Sequence, residues 1–304
     1  QKDDIVNEIL KHPKKKQREL AQATGYSVGK VNSSIKQLKE EGYLNSDMAI
    51  TEKVREELEE KSPQNAVILA AGYGMRMVPI NVEVPKGLLQ VKGEPLIERL
   101  ISQLHEVGIF KIDIVVGFMK EQYEYLIDKY NVKLIFNKDY SSKNNLHSLN
   151  CVSKKLGNTY IIPCDIWCRE NPFSDHEWYS WYMVTDQPDD RSSVRINRKR
   201  ELVKVKEDQP GNTMVGITYL LKPEAECLKA NLKAMIKRKV FDQAFWELAL
   251  FEGDRMIVAP KEVRHEKVFE INTYEQLRDL DSDSDQLRSD SIYLISQILH
   301  CDEK

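Results

Sequence analysis

Asn65-Ala-Val-Ile-Leu-Ala-Ala-Gly-Tyr-Gly-Met-Arg76 is a short apolar run that empties into a turn bracketed by two glycines and closed by an arginine. Such a run is the pattern of a strand buried on both faces, as in a parallel sheet covered by helices. Glycines at its end let backbone N–H groups converge on an anion, and an arginine two residues beyond adds a bidentate donor. No Gly-Lys-Ser/Thr follows, so the turn is not a P-loop, and the third glycine of a dinucleotide-binding fingerprint is missing. Taken alone, Gly-x-Gly fits a tight strand-to-helix connection better than an anion site.

The next residues carry more. Val84-Pro85-Lys86 is followed by Leu88-Leu89-Gln90-Val91 and then Gly93-Glu94-Pro95-Leu96-Ile97. The whole stretch from Leu69 to Ile97 resembles the signature of nucleotidyltransferases that use a GT-A-like Rossmannoid fold. The resemblance implies that residues Ala70, Ala71, Gly72, Tyr73, Gly74, Met75 and Arg76 wrap the phosphates of an NTP. It also implies that Arg76 and Lys86 neutralise the triphosphate and the acceptor phosphate. The residue types suit that work, because charge developing on pyrophosphate needs fixed donors and cations rather than a proton shuttle.

Farther on, Phe136-Asn137-Lys138-Asp139-Tyr140 leads to Asn144-Asn145-Leu146-His147-Ser148-Leu149. This segment resembles the bacterial CTP:phosphocholine cytidylyltransferases, and the similarity runs from about residue 65 to 280. It implies that Asn144 and Asn145 contact the base or sugar; the alternative is a helix cap with its amide satisfied locally. Tyr160-Ile-Ile-Pro-Cys-Asp165 reads as a buried strand ending in a carboxylate, a placement suited to Mg²⁺. The resemblance makes Asp165 a metal ligand and, with Arg76 and Lys86, part of the catalytic set. Val268-Phe-Glu-Ile-Asn-Thr273 stands where relatives carry Glu-Ile-Asp, so Glu270 and Asn272 complete the expected metal set, with an amide in place of the second aspartate. Ile112 to Gly117 reads as a second strand and Glu121 to Tyr130 as its helix. Asn212 to Tyr219 resembles the family's strand leading into its acceptor pocket, and Phe241 to Glu247 a helix nearby.

Choline carries a permanent positive charge, best held by aromatic faces and a carboxylate. The acceptor candidates are Lys86, Trp167, Tyr182, Arg195, Tyr219 and Trp246. The tryptophan that the resemblance places in the acceptor pocket is missing, because Asp190-Arg-Ser-Ser-Val-Arg195 stands there. Phosphocholine is the first acceptor expected, with 2-aminoethylphosphonate or another amino-alcohol phosphate next. The rival readings are a sugar-1-phosphate nucleotidyltransferase and a transcriptional regulator whose transferase-like domain senses a ligand. His105, His147 and His265 are not needed as bases, since a phosphate monoester is a dianion above its second pKa of about 6.

The rest of the chain bounds these readings. Its 304 residues are 41% apolar and 31% charged, with net charge −3. That balance gives no general drive toward nucleic acid or anionic membrane. No apolar run reaches the roughly 18 residues that cross a bilayer, and Gln1 to Lys16 lacks the apolar core of a secretory signal. Five cysteines without a C-x-x-C pair read as reduced thiols, which points to the cytoplasm.

Three stretches differ in texture: 1–62, 63–280, and 281–304, an acidic linker with a tail helix over 291–299. In the first, Ile5, Val6, Ile9 and Leu10 share a helix face, and Gln17 to Ala23 form a second helix. Ser27 caps a third helix that turns Val28, Val31, Ile35 and Leu38 inward. A small hairpin to Thr51 completes a pattern that resembles a winged helix-turn-helix domain. Residues 1–62 hold 12 basic and 12 acidic side chains, a balance that favours docking over DNA binding. The fold expected is therefore a winged helix-turn-helix domain joined to a three-layer α/β/α domain with a mainly parallel sheet. The partners expected are CTP, Mg²⁺, a small phosphorylated alcohol and a second copy in a homodimer. Similar proteins occur fused to a choline-kinase-like domain, so the tail either docks on the transferase domain or opens a further one.

Overall fold

The protein is described by a computed structural model over residues 2–73, 83–283 and 298–299. These residues fall into two compact units. One runs through Ser62 and takes in His176–Trp178; the other begins at Pro63 and resumes at Tyr179.

The first unit is built on α1 (Lys2–Lys11), α2 (Gln17–Thr24), α3 (Val28–Glu40) and α4 (Glu52–Lys61). The Ser27 hydroxyl accepts from the Lys30 N–H at 3.2 Å, which starts α3. Val31, Ile35 and Leu38 recur at helical spacing and are buried with Ile5, Val6, Ile9 and Leu20. Val28, expected inward, is 42% exposed, because it stands one turn before the buried stripe begins. The expected hairpin is reduced to a single antiparallel bridge between Leu44 and Ile50. Trp178 completes this core, its indole N–H donating to Asn7 Oδ1 at 2.7 Å.

The second unit starts with β1 (Asn65–Ala70), the short hairpin β2 (Gln90–Val91) and β3 (Glu94–Pro95), and α5 (Leu96–Glu106). Then come β4 (Ile112–Val116), α6 (Tyr125–Tyr130), β5 (Lys133–Phe136), α7 (Asn145–Asn150), β6 (Thr159–Pro163) and β7 (Ile166–Cys168). The chain continues through β8 (Trp181–Asp189), β9 (Val194–Ile196), β10 (Leu202–Lys204), β11 (Gly211–Leu220) and α8 (Lys222–Met235). It ends with β12 (Phe251–Glu252), β13 (Arg255–Met256), β14 (Ala259–Val263), β15 (Val268–Glu270) and α9 (Tyr274–Leu280).

Seven strands form the main sheet in the order β14-β8-β11-β6-β1-β4-β5. Only β11 runs antiparallel to its neighbours; the other pairs are parallel. In β1, Ala66, Ile68 and Ala70 face a core shared with α5, whereas Val67 faces one shared with α7 and α8. Both faces are therefore covered, and the fold is the expected three-layer α/β/α arrangement with a mainly parallel sheet. The spacing of α5 explains its place: Ile97, Leu100, Ile101 and Leu104 are all fully buried on one stripe.

Two local expectations are corrected. Residues 241–247 are not one helix but the ends of two short 3₁₀ turns, Lys239–Phe241 and Trp246–Leu250. The strand expected through Asp165 stops at Pro163, whose ring offers no N–H to continue the ladder. The tail helix expected over 291–299 lies almost wholly outside the described residues. Among the described residues no helix is long and apolar enough to cross a membrane.

Candidate active site

The parallel register brings the carboxyl ends of β1 and β6 side by side, pairing Leu69 with Pro163, while Ala70 pairs with Val116 on β4. In sheets of this kind ligands bind at that edge, beyond the strand ends. The turn leaving β1 is pinned there, since the Phe118 N–H donates to Ala71 O at 3.2 Å. Gly117 makes the pinning feasible: a Cβ on it would stand 2.5 Å from Tyr140 Cβ and 2.8 Å from Ala71 O. The Tyr73 ring then rests against Phe118 and Tyr140, with centroids 4.9 and 5.5 Å away. Ala70 and Ala71 are buried at this edge; Gly74, Met75 and Arg76 lie outside the described residues.

Lys86 enters from a 3₁₀ turn, Lys86–Leu88, that follows Pro85. Gly87 allows the close approach, because a Cβ there would meet Tyr123 Oη at 2.9 Å and Cys164 Cβ at 3.2 Å. The Lys86 ammonium donates to Asp165 Oδ2 at 2.5 Å and also to Asn272 Oδ1. Asn272 arrives from a distant part of the chain by strand pairing. β15 lies antiparallel to β7 with Glu270 opposite Ile166, and the Ile271 N–H donates to Asp165 O at 2.9 Å. Gln276 then fixes the backbone of Asn272, its Oε1 accepting the N–H at 2.7 Å, while Thr273 caps α9. Lys86, Asp165 and Asn272, expected from scattered motifs, thus form one cluster.

One carboxylate oxygen and one amide oxygen converge on that ammonium. Such a pair suits a hard cation like Mg²⁺, which takes one or two carboxylates and fills its shell with water and phosphate oxygens. Among the described residues no group of three or more His, Cys, Asp or Glu side chains converges into a metal cage. Glu270, expected as a further ligand, lies on β15 opposite Ile166, and its charge adds a little to what burial does in raising the Tyr182 and Glu247 pKa values.

Asn144 and Asn145 make structural bonds. Asn144 Oδ1 accepts from the Asn145 N–H at 2.7 Å as the cap of α7, and Asn145 Oδ1 accepts from the Trp246 N–H at 2.7 Å. Their amides fasten α7 to the 242–246 segment. His147 sits on the same helix, its Nε2 3.7 Å from Asp242 and its pKa lowered by burial.

The expectation of open aromatic faces for the acceptor is corrected. Tyr219 has no exposure and packs on Tyr160, centroids 4.9 Å apart, on the α5 side of the sheet. Trp167 is 5% exposed in a separate cluster with Leu89, Leu96 and Ile271, against Arg99 at 4.8 Å. Tyr182 and Trp246 are buried together, centroids 6.3 Å apart, with no ring face turned to solvent. Arg195 lies on β9 of the small sheet β12-β13-β10-β9, its Nε shut off from water without a partner among the described residues.

What lies beside Tyr182 and Trp246 was missed: the Glu247 carboxyl. Tyr182 Oη donates to Glu247 Oε1 at 3.1 Å, while Oε2 is buried without a partner among the described residues. Burial pushes this carboxyl up to about 7. The one available signal was an acid inside the apolar window Phe245-Trp-Glu-Leu-Ala-Leu-Phe251.

The fold is that of known transferases. Residues 66–178 match the family model of the MobA-like NTP transferase domain, and residues 4–45 that of winged helix-turn-helix DNA-binding. The chain is 31% identical over 220 residues to a choline-phosphate cytidylyltransferase of Streptococcus pneumoniae, covering 71% of this chain and 96% of that protein. It is 33% identical over 198 residues to a 2-aminoethylphosphonate cytidylyltransferase of Lancefieldella rimae, covering 60% of this chain and 77% of that one. The solved structure of CTP:phosphocholine cytidylyltransferase from Streptococcus pneumoniae superposes with a TM-score of 0.67 at 30% identity, over 72% of this chain and 98% of that one. A lysine, a carboxylate and an amide gathered at the strand ends of a MobA-like domain, with this extent of similarity, place the chain in the cytidylyltransferase family of nucleotidyltransferases, carrying an N-terminal winged helix-turn-helix domain.

Proposed function

We propose that the chain transfers CMP from CTP to phosphocholine or a related small zwitterion such as 2-aminoethylphosphonate, releasing pyrophosphate. The observation that carries this reading is the Lys86 ammonium held between Asp165 and Asn272 at the carboxyl ends of β1 and β6. A phosphate or phosphonate oxygen of the acceptor attacks the α-phosphorus in line, the bond to the β-phosphate oxygen breaks, and the electron pair leaves with pyrophosphate. The acceptor is a dianion near neutral pH, so no proton must be removed from it. Lys86 offsets the negative charge where acceptor and triphosphate meet, and Arg76 takes the triphosphate by its motif position. Asp165 and Asn272 are the residues that would hold Mg²⁺, which when bound would neutralise triphosphate charge.

The test is pyrophosphate release by the purified chain with Mg²⁺, each of four NTPs in turn, and phosphocholine, 2-aminoethylphosphonate or glucose-1-phosphate. Turnover with CTP that vanishes in Asp165→Ala supports the reading. Turnover only with the sugar phosphate replaces the acceptor class. No turnover with any pair sinks the reading and leaves ligand sensing, for which Asn272 in place of a carboxylate is the favouring observation.

A further inference from the structure

We infer that Gln122 and Tyr123, on the turn that follows β4, are positioning residues that fasten the backbone on either side of Lys86 and so keep its ammonium at Asp165. That this placement serves cytidylyl transfer rests on the reading above. The turn leaves β4 at Gly117 and passes into a 3₁₀ stretch, Lys120–Tyr123. Met119 enters that stretch with a φ of 53°, a left-handed conformation that a residue with a side chain keeps only where its surroundings enforce it. One short segment thereby bonds in two directions. The Phe118 N–H goes back to Ala71 O, and the next side chains go forward to the segment that carries Lys86.

Two bonds bracket the lysine. Before it, Gln122 Nε2 donates to Glu83 O at 3.0 Å. After it, the Gly87 N–H donates to the Tyr123 hydroxyl. A Cβ on Gly87 would lie 2.9 Å from that oxygen and 3.2 Å from Cys164 Cβ. Gly87 is thus held between Tyr123 and the residue that precedes Asp165, which sets the spacing between the ammonium's chain and the carboxylate's. The bonds within the Lys86 turn, from the Leu88 N–H to Pro85 O and from the Leu89 N–H to Lys86 O, shape it without tying it to Asp165.

Tyr123 does this rigidly. It is 1% exposed and belongs to the core that holds Ala70, Val116 and Cys164. A ring packed in a core cannot swing its hydroxyl away, and removing that oxygen strips the Gly87 N–H of its acceptor. A lysine slightly out of place still attracts anions, but it no longer matches the charge of a transition state. The effect therefore belongs to kcat rather than to nucleotide binding.

The experiment compares the wild type with Tyr123→Phe and Gln122→Met by two readouts. The first needs no turnover: acetylation by acetic anhydride, followed by peptide mapping. Lys86 keeps 16% of its side-chain exposure, so its release should speed its labelling by about threefold to tenfold. Lys229 on α8, 26% exposed, should keep its wild-type rate. The second readout is pyrophosphate release with CTP and either phosphocholine or 2-aminoethylphosphonate. In Tyr123→Phe, kcat should fall about tenfold to a hundredfold with the KM for CTP within about threefold, and Gln122→Met should follow in the same direction. Wild-type labelling of Lys86 in both variants overturns the assignment. So does a raised KM for CTP with kcat unchanged. Faster labelling of Lys86 and Lys229 alike marks lost packing and overturns it for the residue replaced. A wild type without turnover overturns cytidylyl transfer alone, and the labelling then still decides whether the turn holds Lys86.

Discussion

Lys86 and Asp165 retain only 16% and 13% of their side-chain exposure, so their attraction is weakly screened and each depends on the other. Asn272 shares the ammonium without adding charge, which leaves the cluster electrically balanced where two carboxylates would make it anionic. Asn272→Asp should therefore lower the Mg²⁺ concentration needed for half-maximal pyrophosphate release by several-fold, and a magnesium titration of rate checks it. The neighbouring thiols belong to the same edge. Burial, with the Asp165 charge beside it, pushes Cys164 up to about 12, and burial does the same to Cys168. Both should stay unmodified by a maleimide at pH 8 until the chain unfolds, while the exposed Cys151 and Cys227 react, as peptide mapping would show. At this scale the sequence was legible where a motif is local. Lys86 and Asp165 stand out by neighbours such as Pro85 and the strand before Cys164. Glu247 did not, because its burial and its bond from Tyr182 come only with the folded sheet.

Among the elements, α5 shows how one buried acid ties a helix to its partner. Glu98 accepts from Tyr125 Oη at 2.8 Å and Tyr130 Oη at 2.5 Å on α6, and pairs with Lys129 at 2.6 Å. Burial pushes its carboxyl up, but the hydrogen bonds from Lys129, Tyr130 and Tyr125 outweigh that and hold it below the ordinary glutamate range. A carboxyl whose pKa is lowered by folding stabilises the fold above its unfolded pKa and loses that contribution as pH falls through the folded one. Glu98→Gln should therefore cost roughly 1–3 kcal/mol at pH 7 and less at pH 3. Denaturant melts at the two pH values would show the gap closing. The strands were legible because β1, β4 and β6 are short apolar runs ended by glycine or proline. The two 3₁₀ turns at 239–250 were not. Seven residues are too few for a 3.6-residue period to be told from consecutive turns, and what fixes them is the Asn145 bond to the Trp246 backbone. The β7–β15 ladder was hidden for a similar reason, since three-residue strands a hundred positions apart carry no signal of their pairing.

At the scale of the molecule, each unit has its own core, and the two families matched account for one unit each. The α3 residues Lys30, Asn32, Ser33 and Lys36 are all exposed, the arrangement a groove-reading helix needs. Residues 1–62 balance 12 basic against 12 acidic side chains, so the unit brings no net positive charge to a phosphate backbone. The break between the units falls at Ser62-Pro63, where the periodic helices stop. What could not be read is that the first unit's core borrows a tryptophan from more than a hundred residues downstream. Trp178 is 8% exposed among Val6, Leu20 and Leu38, and both its indole N–H and His176 Nε2, at 3.0 Å, meet Asn7 Oδ1. Removing so large a side chain leaves a cavity and also strips Asn7 of a donor, so Trp178→Ala should cost the first unit about 3–5 kcal/mol. Asn7→Ala keeps the ring but leaves its N–H unpaired, and should cost about 1–3 kcal/mol. Hydrogen exchange on α1, α2 and α3 would resolve the two, because lost protection there should follow the order Trp178→Ala, Asn7→Ala, wild type. Unchanged protection in Trp178→Ala would mean that the helices hold their core without the borrowed ring.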